Sequence, residues 1–383
     1  MNSPLPIAEL RQQLANQPPD HPPAARTAVL CELARACARA GLPHDGLAAV
    51  KEAIKLAQSH QLVRERAEAM DAASMCHYFR GDYLMAIASG LDAYQGFAGN
   101  DQYVPMGHTL ATVAAACKEI RASDLAIEAL NGCLEIAGRA GDVFLEARSR
   151  NMLGMVFTEM QRFDDAEAEF NHSRGCLAGM GETSHLPKVL ANQAEILKRR
   201  ADTAAAVNQP DRAAGLLLQA TCVLDEAVAV ARSDGNDYEV ADKTTMLAEY
   251  HRLLGDHDVA ARLVGEALEM ATRLKHPQII IEGHLGQGKI LLDQRDHHAA
   301  AARLKRALEL ARDAELRDLQ LQAHRQLAEC YGAIAHDRDA AAHAMLADEL
   351  DAAAAEANHE AQREVRLLWE RYFSHHPLIG SAD

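Results

Sequence analysis

Apolar side chains recur along the chain at the three- and four-residue spacing of amphipathic helices. In the stretch 151–170, one apolar stripe comes before the turn sequence QRFDD and a second comes after it. The stripes consist of Leu153, Val156, Phe157 and Met160, then Ala166 and Phe170. Similar turn sequences, FRGDY, LLGDHD and DQRDHH, stand at matching places elsewhere. The pattern therefore predicts consecutive pairs of helices joined by tight turns.

Small residues mark this pattern as an internal repeat of forty residues. Three series of Ala, Gly, Ser or Cys follow the chain at intervals of 40, with a single interval of 54. They are Ala53, Ala93, Cys133, Ser173, Ala227, Ala267, Ala307 and Ala347; Gly46, Ala86, Ala126, Ala166, Ala220, Ala260, Ala300 and Ala340; and Ala34, Ser74, Ala114, Gly154, Ala194, Ala248, Gly288 and Ala328. We expect these residues to be the points where helices approach closely, because only small side chains fit there.

The repeat resembles the tetratricopeptide (TPR) pattern, with Leu153-Gly154, Phe157, Ala166 and Phe170 at that family's spacings. Each unit exceeds the usual 34 residues by about six, so we expect longer helices. The resemblance implies an all-α fold, a right-handed α-solenoid of eight TPR-like helix-turn-helix repeats with a C-terminal capping helix. It implies a scaffold that binds a peptide or protein segment in the groove lined by the first helices of the repeats.

The repeat phase predicts the domain boundaries. Residues 1–24 form an N-terminal helix and a proline-rich linker, and residues 357–383 form a capping helix and a tail. Between them lie eight repeats, at 25–62, 63–102, 103–142, 143–182, 183–236, 237–276, 277–316 and 317–356.

The fifth repeat carries fourteen additional residues, at about 201–214, between Ala194 and Ala220. The sequence remains helical on both sides of NQPD, and Pro210 suits the first turn of a helix. We therefore predict two helices, each longer by about two turns. This longer hairpin is either harmless variation in length or a surface for docking or dimerisation.

The segment AQREVRLLWERYF places Val365, Leu368, Trp369, Tyr372 and Phe373 on one side of a helix. Repeat arrays need their exposed terminal faces covered. We therefore expect this helix to cover the eighth repeat.

Composition limits the classes of partner. The formal net charge is −16, and no long lysine- or arginine-rich run occurs. Nucleic acids and anionic membranes require a clustered positive surface, so we expect neither as a partner. The N-terminus has no signal-peptide pattern, and the eight cysteines contain no CxxC pair. The sequence is thus typical of a cytoplasmic protein with buried, reduced thiols.

No motif for catalysis or for cofactor binding occurs. The sequence contains no GxGxxG, Walker-type loop, GxSxG or HExxH. The adjacent pairs His297-His298 and His375-His376 do not face the same way on a helix, so they do not form a metal site. We therefore predict a protein without a catalytic, cofactor or metal site.

The groove around the fourth and fifth repeats is the predicted binding site. Asn151 and Asn192 stand just before the small residue of their helices, where related peptide-binding arrays place an asparagine that can grip a peptide backbone. The other candidates are charged residues: Arg148, Lys188, Glu195, Lys198, Glu249 and Arg252. The cations among them favour an acidic partner segment. A homodimer is also possible.

Residues 376–383, HPLIGSAD, weakly resemble the opening of bacterial diguanylate cyclase domains, which TPR sensor arrays often precede. The alternative function is therefore a ligand-sensing TPR module of a bacterial signalling protein, of the cyclase or transcription-regulator type, without its output domain. An ordinary polar tail explains the same residues.

Overall fold

The computed structural model describes residues 7–18, 21–99 and 102–374, and these residues are helical apart from short turns. The predicted tail motif at 376–383 lies outside them. The described residues form seventeen helices, and none of them is in a strand. The predicted all-α helical-repeat fold is confirmed. The chain divides into two compact units, residues 1–160 with 358–383 and residues 161–357, which are described separately below.

Unit 1 contains eight complete helices and the end of a ninth. The complete helices are α1 Ile7–Ala15, α2 Pro23–Arg39, α3 Pro43–Ser59, α4 Val63–Arg80, α5 Tyr83–Ala98, α6 Tyr103–Glu119, α7 Ser123–Ala140 and α8 Val143–Glu159. Each helix from α1 to α7 packs against the next one along the chain, and α2, α4, α6 and α8 also contact one another in sequence. Unit 1 is therefore built from helix pairs whose first helices lie side by side.

Unit 2 repeats this arrangement with longer helices at its start. Its helices are α9 Phe163–Met180, α10 Leu186–Ala206, α11 Pro210–Ser233, α12 Asp237–Leu253, α13 His257–Leu274, α14 Pro277–Asp293, α15 His297–Asp313 and α16 Arg317–Ala333, and the last helix, α17 Asp337–Phe373, begins in unit 2. The first helices α10, α12, α14 and α16 again contact their neighbours in turn.

The small-residue series occupies the contacts between helices, as the repeat pattern predicted. Twenty-two of the twenty-four positions are buried, including Gly154. The two exceptions, Ala328 and Ala340, belong to the last repeat and are partly exposed. Gly154 is thus one of the buried small residues of α8, as its place in the repeat series predicts.

The turn sequences provide the helix ends that their residues favour. Gly81 and Gly255 have φ values of +84° and +87°, a left-handed conformation that costs glycine little. In the turn DQRDHH, Arg295 adopts this conformation at φ +62°, and the Asp296 carboxylate accepts a hydrogen bond of 3.0 Å from the Ala299 N–H.

The long hairpin of the fifth repeat forms as predicted. Helix α10 ends at Ala206, twelve residues after Ala194, whereas α8 ends at Glu159, five residues after Gly154. Helix α11 begins at Pro210, which stands in its first turn. Near the tip, Ala201, Ala204 and Ala213 form a small apolar cluster with Leu216 and Leu217.

The expectation that Trp369 covers the eighth repeat is wrong. Val365 and Trp369 are buried in the core of unit 1, among side chains of α5, α6 and α7. The Phe373 ring lies 4.9 Å from the Trp369 ring and 5.8 Å from the Tyr94 ring, measured between centroids. The large apolar surfaces of these aromatic side chains are packed against α5–α7. The end of α17 is thus part of the core of unit 1.

Polar contacts hold the end of α17 in the same place. The Gln362 side-chain amide donates to the Ile120 carbonyl at 2.7 Å, and Arg366 pairs with Asp124 at 2.7 Å. The Tyr372 hydroxyl donates to the Asp92 carboxylate.

Candidate binding site

A cleft of about 630 Å³ follows the first helices of unit 2. Its volume lies within the range of small-ligand and peptide pockets. Apolar side chains form part of the lining: Met246, Ala248, Val264, Leu285 and Ile290, with Gly286 among them. Charged and polar side chains form the rest: Glu195, Lys198, Asp242, Thr245, Glu249, Tyr250, Arg252, Glu282, Lys289 and Gln322.

Four of the eight predicted site residues line this cleft, namely Glu195, Lys198, Glu249 and Arg252. Lys188 and Asn192 are on α10 but do not line it. Arg148 and Asn151 are on α8 and belong to unit 1. The asparagine pair is thus divided between the two units, and its role in gripping a backbone stays a prediction.

Glu249 is the centre of an ion-pair network in the cleft. Its carboxylate accepts hydrogen bonds from the Arg252 Nε at 2.8 Å and from the Lys289 Nζ at 3.1 Å. The second guanidinium edge of Arg252 reaches Asp293 at 2.6 Å. Burial by itself would raise the pKa of Glu249, but the hydrogen bond from Arg252 and the charge of Lys289 lower it below its usual range. Glu249 is therefore ionised and rigidly held at neutral pH.

A second cluster of hydrogen bonds holds Glu195, with partners on α10 and α12. The Tyr250 hydroxyl donates to one Glu195 carboxylate oxygen at 3.2 Å, and the Arg199 Nε donates to the other at 2.8 Å. Burial, followed by the Glu195 charge, raises the pKa of the Tyr250 phenol. Tyr250 thus remains a hydrogen-bond donor over the whole physiological pH range.

Carboxylates of α12 and α14 form a third group. The Lys243 Nζ contacts Asp242 at 2.5 Å and Glu239 at 3.5 Å, and both Lys243 and Glu239 are buried. Burial raises the pKa of Glu282, and the charge of Asp242 raises it further. Two carboxylates of this group, Asp242 and Glu282, line the cleft in addition to Glu249.

The predicted lysines are already neutralised by carboxylates. Lys188 pairs with Glu239 at 3.3 Å, and Lys198 pairs with Asp202 at 2.8 Å. The cleft presents charges of both signs, so the preference for an acidic partner stays a prediction.

Sequence reasoning missed the partners within the cleft, although the repeat length points to them. Lys289 follows Glu249 by forty residues, and Glu282 follows Asp242 by forty. Equivalent positions of successive first helices are neighbours in the fold, because those helices lie side by side. Charges one repeat apart therefore interact across repeats, as an ion pair for Glu249 and Lys289 and as a like-charge pair for Asp242 and Glu282.

The described residues contain no group of three or more His, Cys, Asp or Glu side chains that could hold a metal ion. All eight cysteines are free thiols, six of them buried. Burial raises the pKa values of Cys31 and Cys76 to about 12. Both thiols are therefore protonated at neutral pH and poor nucleophiles.

Helix α11 has the length and apolar composition of a membrane span, and about a third of the relevant window is buried. Its buried residues include Ala220, Leu224 and Ala227, and it packs on α10 and α12. The apolar stripe of α11 thus serves the core of unit 2.

Comparison with protein-family models finds no match, and comparison with curated protein sequences finds none either. Solved structures with a similar fold do exist. A Rap protein complexed with Competence and Sporulation Factor has 12% sequence identity and a TM-score of 0.62, over 91% of this chain and 92% of that one. The Rap conjugation gene regulator of plasmid pLS20, in complex with the Phr* peptide, has 13% identity and a TM-score of 0.57, over 90% and 95%.

The apo form of the quorum sensor NprR from B. thuringiensis is similar to the same degree, with 12% identity and a TM-score of 0.57 over 90% of this chain and 91% of that one. At these identities the likeness concerns the fold. The likeness extends over about nine tenths of the chain. It agrees with the repeat series, the helix pairs and the side-by-side first helices described above. The chain is therefore a TPR-like helical-repeat protein.

Proposed function

We propose that this protein is a non-catalytic cytoplasmic scaffold that binds a peptide or a protein segment in the cleft of unit 2. The observation that carries the proposal is the cleft itself, which combines an apolar lining with fixed polar groups on rigid helices. Glu195, Lys198, Glu249 and Arg252 are the residues we assign to contact with the ligand. Their ion pairs hold them in one geometry, so little side-chain entropy is lost on binding.

The solved structures support this proposal by analogy of fold. Two of the three similar proteins are described in complex with a peptide or a signalling factor. Since likeness of fold alone does not transmit function, the analogy supports the class of ligand and leaves its sequence open.

A second candidate is a ligand-sensing regulator, in which binding changes the packing of successive repeats. The descriptions of similar structures as a quorum sensor and a conjugation gene regulator favour it. The comparisons do not support the diguanylate cyclase version of this alternative.

A cleft-filling substitution tests the proposed site. Gly286 lines the cleft, so Gly286→Phe would occupy it with a benzyl group. The matched control is Gly265→Phe on α13, where no atom lies within 4 Å of an added Cβ and the position is outside the cleft. Both variants are first checked for wild-type helicity by circular dichroism.

Peptides are then selected from a random display library on the wild-type protein, and their Kd values are measured by titration calorimetry. We expect Gly286→Phe to weaken binding at least tenfold and Gly265→Phe to leave it unchanged. Equal affinity for the wild type and Gly286→Phe would contradict the assignment of the cleft.

A further inference from the structure

Arg148 is a half-buried cation of unit 1 without an anionic partner. It lies on α8, and among the described residues its guanidinium makes no hydrogen bond and no ion pair. Charged side chains are rarely withdrawn from water unless they are paired, because removing a charge from water costs several kcal/mol.

The other withdrawn cations of the protein obey this rule. In the part of the chain that the structure describes, eleven lysine and arginine side chains are buried or partly buried, and ten of them are ion-paired. The ten are Arg26, Arg35, Lys118, Arg150, Arg174, Lys198, Arg200, Lys243, Arg252 and Lys289. Arg148 is the exception.

Asp71 is the carboxylate whose charge acts on Arg148, while Asp142 and Glu119 act on the neighbouring His108 and Tyr78, and all three are already engaged by other groups. Asp71 accepts from Arg35 at 2.8 Å and from the Thr109 hydroxyl at 2.7 Å, so both of its oxygens are used. Asp142 accepts from the Leu145 N–H at 2.9 Å, and its other oxygen lies 3.2 Å from the His108 Nε2.

Glu119 on α6 is likewise paired, with Lys118 at 2.9 Å. Among the described residues of unit 1, no carboxylate is therefore left to pair with the Arg148 guanidinium.

The directions in which the pKa values of these groups shift agree with the geometry. Burial lowers the pKa of the Arg148 guanidinium below its ordinary value. In Arg35 burial acts in the same direction, but the charge and hydrogen bond of Asp71 outweigh it and raise the pKa. Burial lowers the pKa of His108 also, and the nearby Arg148 charge lowers it further, so His108 is neutral at pH 7 and does not compete for an anion.

We propose that Arg148 anchors an oxyanion site in unit 1, which takes a carboxylate or phosphate group of a ligand. A guanidinium presents two parallel N–H donors that match both groups. The bound anion would provide the counter-charge that the protein itself lacks. This proposal does not depend on the cleft of unit 2.

Thermal unfolding of the full chain with simple anions tests the site. Sodium acetate and sodium phosphate are compared with sodium chloride at equal ionic strength and pH. We expect at least one oxyanion to raise the Tm of the wild type above its value in chloride, and the active anion distinguishes a carboxylate site from a phosphate site. Absence of any rise above chloride would overturn the proposal.

Two matched variants separate ligand binding from a structural role. Arg148→Met removes an unpaired charge but keeps a long apolar stem, so we expect the Tm in chloride to rise by about 2–4 °C. The oxyanion effect should disappear. Arg35→Met leaves Asp71 without its partner, so its Tm in chloride should fall while the oxyanion effect remains. A fall for Arg148→Met, or an oxyanion effect that survives in it, would contradict the site.

Chemical modification provides a measurement that requires no variant. Phenylglyoxal reacts with accessible arginines, and peptide mass spectrometry reports each position separately. We expect the effective oxyanion to protect Arg148 at least threefold relative to chloride and to leave Arg252 unchanged, since Arg252 is held by Glu249 and Asp293. Equal modification of Arg148 with and without the oxyanion would overturn the proposal.

Discussion

At the residue scale, the packing of the helices depends on glycines at positions where a larger side chain would not fit. Gly46 on α3 belongs to the small-residue series and is buried. A Cβ added there would lie 2.9 Å from the Ala34 carbonyl oxygen and 2.7 Å from the Cys76 Sγ. The backbone carbonyl cannot move without shifting α2, so the contact between α2 and α3 requires glycine at this position.

We predict that Gly46→Ala destabilises the protein by about 1–3 kcal/mol, the usual result of overpacking a helix contact. The control is Gly215→Ala on α11, where an added Cβ meets nothing within 4 Å. That variant should gain up to about 1 kcal/mol from helix propensity. Urea unfolding followed by circular dichroism gives both values. Equal or reversed effects would show that Gly46 is not a packing point.

Charged side chains of this protein differ in whether the fold gives them an ion-pair partner. Glu249 is held by two cations, whereas Arg148 has no ion-pair partner among the residues that the structure describes. Paired charges stabilise the array, and an unpaired charge imposes a cost that binding can remove. Paired charges such as Glu249 are thus fixed in position for a ligand, whereas the counter-charge of Arg148 is left for a bound anion to provide.

At the element scale, helix α16 carries the most strongly perturbed histidine. His324 is 2% exposed, and its Nδ1 lies 2.8 Å from the Nδ1 of His343 on α17. The Arg312 guanidinium approaches the other His324 nitrogen at 3.4 Å, and the Tyr331 ring stacks on His343. Burial, the His343 charge and the Arg312 charge together lower the pKa of His324 to about 4.

This arrangement predicts a loss of stability in acid. Between pH 6.5 and 4, the unfolded chain binds a proton at His324 that the folded chain does not bind. Stability should therefore fall as the pH drops through this window, by at most about 3 kcal/mol. His324→Gln should flatten that dependence, whereas His298→Gln, at an exposed position, should not.

Urea midpoints measured by circular dichroism at pH 7 and pH 4.5 check this prediction. If wild type and His324→Gln lost the same stability between the two values, His324 would not be the responsible group.

At the scale of the whole molecule, the end of the chain completes the core of its first unit. Val365 and Trp369 on α17 are buried with side chains of α5–α7, more than 200 residues earlier in the sequence. The stability of unit 1 therefore depends on residues that are distant in the sequence from α5–α7.

We predict that Val365→Ala destabilises unit 1 by about 2 kcal/mol, through lost apolar burial and a small cavity. Leu367→Ala, at a position of the same helix that is 67% exposed, should change stability by less than about 0.5 kcal/mol. Trp369 is the only tryptophan, so its fluorescence during urea unfolding reports on unit 1 directly. Equal midpoints for the two variants would contradict the packing of α17.

The sequence by itself determined the features that depend on neighbours along the chain. Helix periodicity, the glycine turns, the forty-residue phase and Pro210 at the start of α11 are local properties, and packing between adjacent helices follows from the small-residue series. The TPR-like fold and four residues of the cleft, Glu195, Lys198, Glu249 and Arg252, could be predicted on this basis. Each repeat contacts mainly the next one, so local information is nearly sufficient there.

Only the tertiary structure decided the features that depend on contacts between residues distant in the sequence, or on which of several nearby groups a charge pairs with. The repeat pattern does not reveal that α17 returns to α5–α7, because that contact has no period. The repeat pattern also does not show that Lys188 and Lys198 are paired with carboxylates, whereas Arg148 is unpaired among the described residues. Each outcome depends on which carboxylate lies within a few ångströms of which cation. Ion pairing is set by distances of a few ångströms, and the amphipathic pattern of a helix specifies only which face a charge occupies.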